Sequence, residues 1–82
     1  MQKKFKYSYA ICDQADDEIF RKQCIALENH IPNLIKERLL EDVDGSLYQE
    51  YHHEKGELIV CSEIPVGAVY IDSDFDINPY FK

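Results

Sequence analysis

The chain has 82 residues, which predicts a single domain over 1–82. Sixteen Asp and Glu against nine Lys and Arg give a net charge of −7, which disfavours direct binding to nucleic acid because phosphates are held by Lys and Arg. No apolar run approaches the roughly 18 residues of a membrane span, and the start of the chain lacks the apolar core of a signal peptide. We therefore expect a soluble, cytoplasmic protein that makes no contact with a membrane.

The first predicted element is a strand at residues 5–11, where aromatic and apolar side chains alternate with smaller or polar ones. Acidic residues at 13–17 follow, and acids in a first turn are favoured by the helix dipole. These residues predict the start of a helix.

A long helix is predicted next. Apolar residues recur at steps of three and four from Phe20 to Val43, as they do on the buried side of an amphipathic helix. Pro32 lies inside this stripe, and proline removes a helix hydrogen bond. We expect either a kink or a tight break at Pro32, and the end of the helical segment at Gly45.

Three strands are predicted after the helix, at residues 46–54, 57–64 and 68–77. The second of them is apolar on both faces over 58–61, which indicates a central strand, and Gly56 suits the turn before it. The expected fold is α+β: a four-stranded, mostly antiparallel sheet in the order β-α-β-β-β, with one kinked or broken helix packed on one face.

The last predicted strand carries an aspartate at every second position. Asp72, Asp74 and Asp76 would share its exposed face, because alternate residues of a strand point the same way. Like charges at this spacing repel, and aspartate is a poor strand former. Three explanations are open: protection of a sheet edge, a calcium site, or a row of carboxylates that replaces nucleic-acid phosphates at a partner's surface. An EF-hand is excluded because Ile77 stands where its loop needs glycine.

Negative charge is concentrated in the second half of the chain. Residues 1–40 hold six acids and seven bases, whereas residues 41–82 hold ten acids and two bases. This asymmetry favours a basic protein as partner, although the acids could also serve solubility alone. Besides the three aspartates, the predicted partner-binding residues are Tyr70, Glu50, Tyr48, Glu63, Glu41, Asp42 and Asp44.

Catalytic, metal and cofactor sites are not predicted. Cys12, Cys24 and Cys61 are an odd number, and we interpret them as reduced thiols. His52 and His53 would point to opposite faces of a strand, so they would not share a metal. A pairing of His53 with Cys61 across the turn would give only two of the three or four ligands that zinc needs.

We therefore expect a small acidic inhibitor of a basic nucleic-acid-acting enzyme, as a monomer or weak dimer. The first hypothesis is an immunity protein for a bacterial nuclease toxin, and the second is a phage or mobile-element inhibitor that mimics DNA. In size and charge the chain resembles colicin-type immunity proteins and uracil-DNA glycosylase inhibitors, although it carries no diagnostic motif of either family. A third hypothesis is a regulatory or structural module that makes its contacts through Phe5, Tyr7 and the basic N-terminus.

Overall fold

The computed structural model describes residues 4–81, which form one helix and five strands. All strand pairs are antiparallel, and the sheet order is β1-β5-β4-β3-β2. The α+β class and the antiparallel sheet are confirmed, but the prediction of four strands is wrong by one. The elements are β1 (Tyr7–Cys12), α1 (Asp17–His30), β2 (Ile35–Glu41), β3 (Leu47–His53), β4 (Gly56–Glu63), β5 (Ala68–Ser73) and a short 3₁₀ helix (Asn78–Phe81).

Helix α1 begins where the acidic residues predicted it would. The carboxylate of Asp16 accepts a hydrogen bond from the Ile19 backbone N–H at 3.0 Å, so it caps one of the free N–H groups of the first turn. Phe20, Cys24 and Leu27 are buried and lie on the side of α1 that packs against β4 and β3. The helix therefore covers one face of the sheet.

Helix α1 ends before Pro32 and does not continue as a kinked helix. Proline disfavours the helical conformation in the residue before it, and Ile31 is extended, with φ −102° and ψ 112°. Asn33 then adopts a left-handed conformation at φ 62°, which asparagine tolerates better than most residues. These two residues turn the chain, so the prediction of a helix to Val43 is wrong.

Strand β2 occupies the second half of the expected helix. It pairs with β3, and its register shifts between Lys36 and Leu39. The side-chain amide of Gln49 donates to the carbonyl oxygens of Glu37 and Arg38 at this irregularity, at 3.1 and 3.2 Å. Gln49 is buried, so the sheet itself satisfies the backbone groups that a helix would have paired internally.

The predicted helix stop at Gly45 is instead a turn between β2 and β3. The Gly45 N–H donates to the Asp42 carbonyl at 3.0 Å, and the Asp42 N–H donates to the Ser46 carbonyl at 2.9 Å. Gly45 has φ 91°, a conformation that favours glycine. The glycine signal located a chain reversal correctly, but the reversal joins two strands.

The core lies between α1 and the middle of the sheet. Leu58 and Val60 of β4, with Ile71 of β5, are almost fully buried there. Strand β4 has two strands on each side of it, which confirms the prediction that it is central. Gly56 starts β4 at φ 142°, as expected for the turn before that strand.

Strand β5 is shorter than predicted. The Ser73 hydroxyl donates to the Phe75 carbonyl at 2.7 Å and accepts from the Phe75 N–H at 3.1 Å, so the chain turns directly after Ser73. Phe75 still packs against the core and Ile77 is buried in it, as the alternation predicted. Pro79 lies in the short 3₁₀ helix that follows.

Candidate protein-binding face

The side of the sheet opposite α1 carries a broad groove of about 850 Å³, which we call the open face. Strands β2 to β5 each contribute side chains to it, at positions that alternate with the core residues. Phe5 also borders the groove. The principal lining side chains are Arg38, Leu40, Tyr48, Glu50, Glu57, Ile59, Cys61, Glu63, Tyr70 and Asp72.

The floor of the open face is a line of four side chains across the sheet. Tyr70, Cys61 and Tyr48 are opposite one another on β5, β4 and β3, and Leu40 on β2 continues the line. Neighbouring strands lie about 4.8 Å apart, so each tyrosine ring is in reach of the thiol between them. This arrangement places apolar and aromatic surface at the centre of an exposed face.

Glu63 fixes both tyrosines of this floor. Tyr48 donates its hydroxyl proton to Oε2 of Glu63, and Tyr70 donates to Oε1, each at 3.0 Å. Burial, with the adjacent carboxylate, raises the pKa of both phenols, so both remain donors at neutral pH. The two rings are thereby held in place by one carboxylate.

Cys61 is only 2% exposed, and burial raises the pKa of its thiol to about 12. The negative charges of Asp72 and Glu63 act in the same direction, while a hydrogen bond with Tyr70 opposes them. A thiol in this environment stays protonated at neutral pH, whereas a reactive cysteine needs a lowered pKa. Cys61 is therefore a small buried apolar side chain between the two tyrosines.

Carboxylates border the floor, and their partners differ. Glu50 forms an ion pair with Arg38, with 3.5 Å between Oε1 and Nε. Glu63 accepts the two tyrosine hydroxyls described above. Asp72 lies in line with Ile59 and Glu50, and its buried Oδ1 atom accepts no hydrogen bond from any described residue. Asp72 thus carries an unsatisfied acceptor at this face.

The predicted row of three aspartates is not formed. Asp72 lies on β5 and faces the groove, but Asp74 and Asp76 follow the end of that strand. Asp74 Oδ2 accepts from the Glu57 N–H at 2.8 Å, and Asp76 Oδ1 accepts from the Tyr9 hydroxyl at 2.8 Å. The latter two aspartates hold the chain segment after β5, because the turn at Ser73 interrupts the strand period.

The acids before β3 lie apart from the open face. Glu41 ends β2 and borders a smaller groove on the helix side of the sheet. Asp42 and Asp44 form the turn, where their carboxylates accept from the backbone N–H groups of Val43 and Ser46. The bond from Ser46 lowers the pKa of Asp44. Of the predicted partner-binding residues, the open face therefore brings together Tyr48, Glu50, Glu63, Tyr70 and Asp72.

His53 and Cys61 do not meet, contrary to the pairing considered from the sequence. His53 is opposite Gly56 and faces the helix side, where its Nδ1 accepts from the Lys55 N–H at 3.2 Å and its Nε2 lies 3.1 Å from the Pro32 carbonyl. Its ring also lies beside that of Phe75, with 5.0 Å between centroids. Among residues 4–81, no group of three His, Cys, Asp or Glu is placed to hold a metal ion.

Several residues of the open face were missed from the sequence. Because Leu40 and Arg38 were assigned to the long helix, their position beside β3 was not predicted. Ile59 and Glu57 could have been found from the alternation of β4, which places them on the side opposite Leu58 and Val60. The basic start of the chain, considered as an alternative contact region, falls partly on residues 1–3, which lie outside the described residues.

Comparison with protein-family models, curated proteins and solved structures finds no match to this chain. Within the described residues, no helix combines the length and apolar character that a membrane crossing requires. The geometry of the open face is therefore the basis for a functional proposal.

Proposed function

We propose that the chain is a binding protein whose open face docks on a basic surface of another protein. In its most concrete form it inhibits a basic nucleic-acid-acting enzyme, such as a bacterial nuclease toxin. One observation carries the proposal: carboxylates surround an aromatic and apolar floor on an uncovered sheet face, and Arg38 is the one basic side chain among the described residues that line the groove.

The composition of this face supports protein binding. Tyrosine is enriched at the energetic centres of protein interfaces, and Tyr48 and Tyr70 lie at the middle of the groove with their hydroxyls already fixed by Glu63. Fixed side chains lose little conformational entropy when a partner binds. The central floor would supply buried contact area, while the surrounding acids would select the partner by charge.

The charge of the face supports a basic partner that normally holds nucleic acid. An enzyme that binds phosphates presents Lys and Arg, and a carboxylate surface is complementary to that same surface. Such complementarity accelerates encounter and orients the two proteins. A DNA-mimicking inhibitor and an immunity protein would both use the face in this way, so the partner's identity separates these two forms.

The test compares two triple variants that each remove three negative charges. Glu50→Gln, Glu57→Gln and Asp72→Asn neutralise the open face, whereas Asp13→Asn, Glu18→Gln and Glu54→Gln neutralise exposed acids elsewhere. Each protein is assayed for binding to, and inhibition of, purified basic nuclease domains and a DNA glycosylase. Binding is measured at about 50 mM and about 300 mM salt, because exposed charges are screened over roughly 8 Å at physiological ionic strength.

We expect the open-face variant to lose inhibition while the control variant keeps it, and association to slow as salt rises. Equal behaviour of the two variants would show that only net charge matters. Salt-independent association, or inhibition that survives the open-face substitutions, would contradict the proposal.

A further inference from the structure

Asp72 differs from Glu50 and Glu63 in what its carboxylate lacks. Glu63 has two tyrosine donors, and Glu50 has Arg38. Asp72 Oδ1 is buried and has no donor among the described residues. A buried acceptor without a donor is costly, and more so when it is charged, so native structures rarely keep one without a reason.

The surroundings of Asp72 match one kind of side chain. Tyr70 is two residues earlier on β5 and faces the same way, and Ile59 lies directly opposite Asp72 on β4. The Tyr70 ring offers a surface on which a planar cation can stack, and the partly exposed Ile59 offers apolar contact for an aliphatic stem. A carboxylate, an aromatic ring and an apolar floor therefore meet within one cross-strand neighbourhood.

We propose that Asp72, Tyr70 and Ile59 form a subsite for a single arginine of the partner protein. The guanidinium donates to the Asp72 carboxylate and stacks on the Tyr70 ring, while the methylene groups of the arginine lie over Ile59. Asp72 is half-buried and lines the groove, so a guanidinium that enters the groove can approach its carboxylate. This subsite rests on the proposed function and names the group that the open face recognises.

Arginine fits this subsite better than lysine. Its guanidinium is planar, stacks on aromatic rings and donates two parallel hydrogen bonds to one carboxylate, whereas an ammonium is a compact, strongly hydrated point charge.

Glu63 is not part of the contact. It acts as a positioning residue, because it holds the Tyr70 hydroxyl at 3.0 Å and so fixes the ring on which the guanidinium would stack.

The subsite is tested with N-acetyl-arginine amide as the probe, and its binding is followed by backbone amide NMR of the intact chain. N-acetyl-lysine amide tests the preference for a guanidinium, and N-acetyl-citrulline amide has nearly the same shape without the charge. We expect shifts to concentrate at residues 58–61 and 70–73 and affinity to fall in the order arginine, lysine, citrulline. Citrulline binding as tightly as arginine would overturn the proposal, and lysine binding as tightly would overturn the assignment to arginine.

Two variants then locate the contact. Asp72→Asn keeps the size of the side chain, and we expect it to weaken the arginine probe by about tenfold, as loss of a charge-assisted bond predicts. Glu54→Gln removes one exposed charge away from the groove and should leave the affinity unchanged. Tyr70→Leu should weaken arginine more than lysine. Unchanged affinity in Asp72→Asn, with an intact amide spectrum, would exclude the subsite.

Failure of the subsite and failure of the proposed function give different results. If a basic nuclease is inhibited in a salt-dependent way but Asp72→Asn inhibits it equally well, the face binds a basic protein without this arginine contact. If the arginine probe binds at Asp72 but no basic enzyme is inhibited, the subsite holds and the inhibitor function is wrong.

Discussion

Neighbouring residues of β4 face two different environments. Leu58 is 1% exposed beneath α1, whereas Ile59, the next residue, lines the open groove on the other side. The same contrast continues along β3, where Tyr51 is buried in the core and Glu50 is at the open face. One face of the sheet thus carries the apolar contacts that stabilise the fold, and the other carries charge and fixed tyrosines.

The two faces also differ in whether their buried polar atoms have hydrogen-bond partners. On the helix side, Tyr51 donates its buried hydroxyl to Glu28 at 2.6 Å, so the polar atom is satisfied within the chain. On the open side, Asp72 keeps an acceptor without a donor among the described residues. This difference between the two faces is one of the observations that support our proposal of a binding surface on the open side.

The largest expected effect separates the two faces by matched substitutions on β4. We expect Leu58→Ala to lower the free energy of unfolding by about 2–5 kcal/mol, since it removes buried methyl groups and leaves a cavity. Ile59→Ala removes the same number of carbons from a partly exposed position and should cost about 1 kcal/mol. Urea denaturation measures both variants. Equal losses would show that the open face contributes to the core as much as the helix side does.

A second comparison concerns two glycines with positive φ. Gly56 has φ 142°, and a Cβ there would clash with the side chain of Asp74, so Gly56→Ala should destabilise the chain by about 2 kcal/mol or more. Gly67 has φ 71° with open space around it, so Gly67→Ala should cost only about 1 kcal/mol for the backbone conformation. Thermal unfolding of the two variants tests this order, and a larger loss at Gly67 would contradict the close packing of the turn before β4 against Asp74.

A third prediction uses the thiol of the open face. The folded pKa of Cys61 is about 12 against an ordinary value of 9.0, so folding gains stability from this group below pH 9 and loses it as the pH rises toward 12. Between pH 9 and about 10 the wild type should lose about 1 kcal/mol more than Cys61→Ala. Urea midpoints at each pH measure the difference. Parallel profiles for the two proteins would mean that the thiol is not shielded from water in the folded state.

Most of the sheet could be predicted from residue patterns. The alternation of β1, the continuous apolar run of β4 and the glycine before it located these strands, and their periodicity also showed which side chains enter the core. The start of α1 followed from the acids at 13–17, because their interaction with the helix dipole is local, as is the Asp16 cap that the structure shows. These features depend on residues close together in sequence, which is why they can be read directly.

Strand β2 could not be recognised in this way. Its residues, including Glu37, Arg38 and Leu39, favour helices, and their apolar positions stay in phase with α1. What decides their structure is distant in sequence: pairing with β3 and the bonds that Gln49 gives to their carbonyls. One local signal was available, since a residue before proline disfavours helix, but it is compatible with both a kink and a stop.

The smallest expected effect separates two aspartates that the sequence placed in one row. Asp72→Asn removes a charge that lacks a donor among the described residues and lines the same groove as Glu50 and Glu63, so the free energy of unfolding should stay the same or rise by up to about 0.5 kcal/mol. Asp74→Asn weakens the charge-assisted bond from the Glu57 N–H at 2.8 Å, so stability should fall by about 0.5–1 kcal/mol.

Urea denaturation of the Asp72 and Asp74 variants at low salt provides the measurement, because both substitutions keep side-chain size and remove one charge. A fall in stability for Asp74→Asn without a fall for Asp72→Asn would show that Asp74 is the structural carboxylate of the two, although they lie only two residues apart. A loss of stability in Asp72→Asn that equals the loss in Asp74→Asn would mean that the chain already satisfies Asp72, and the reason to expect a cation at the open face would be removed.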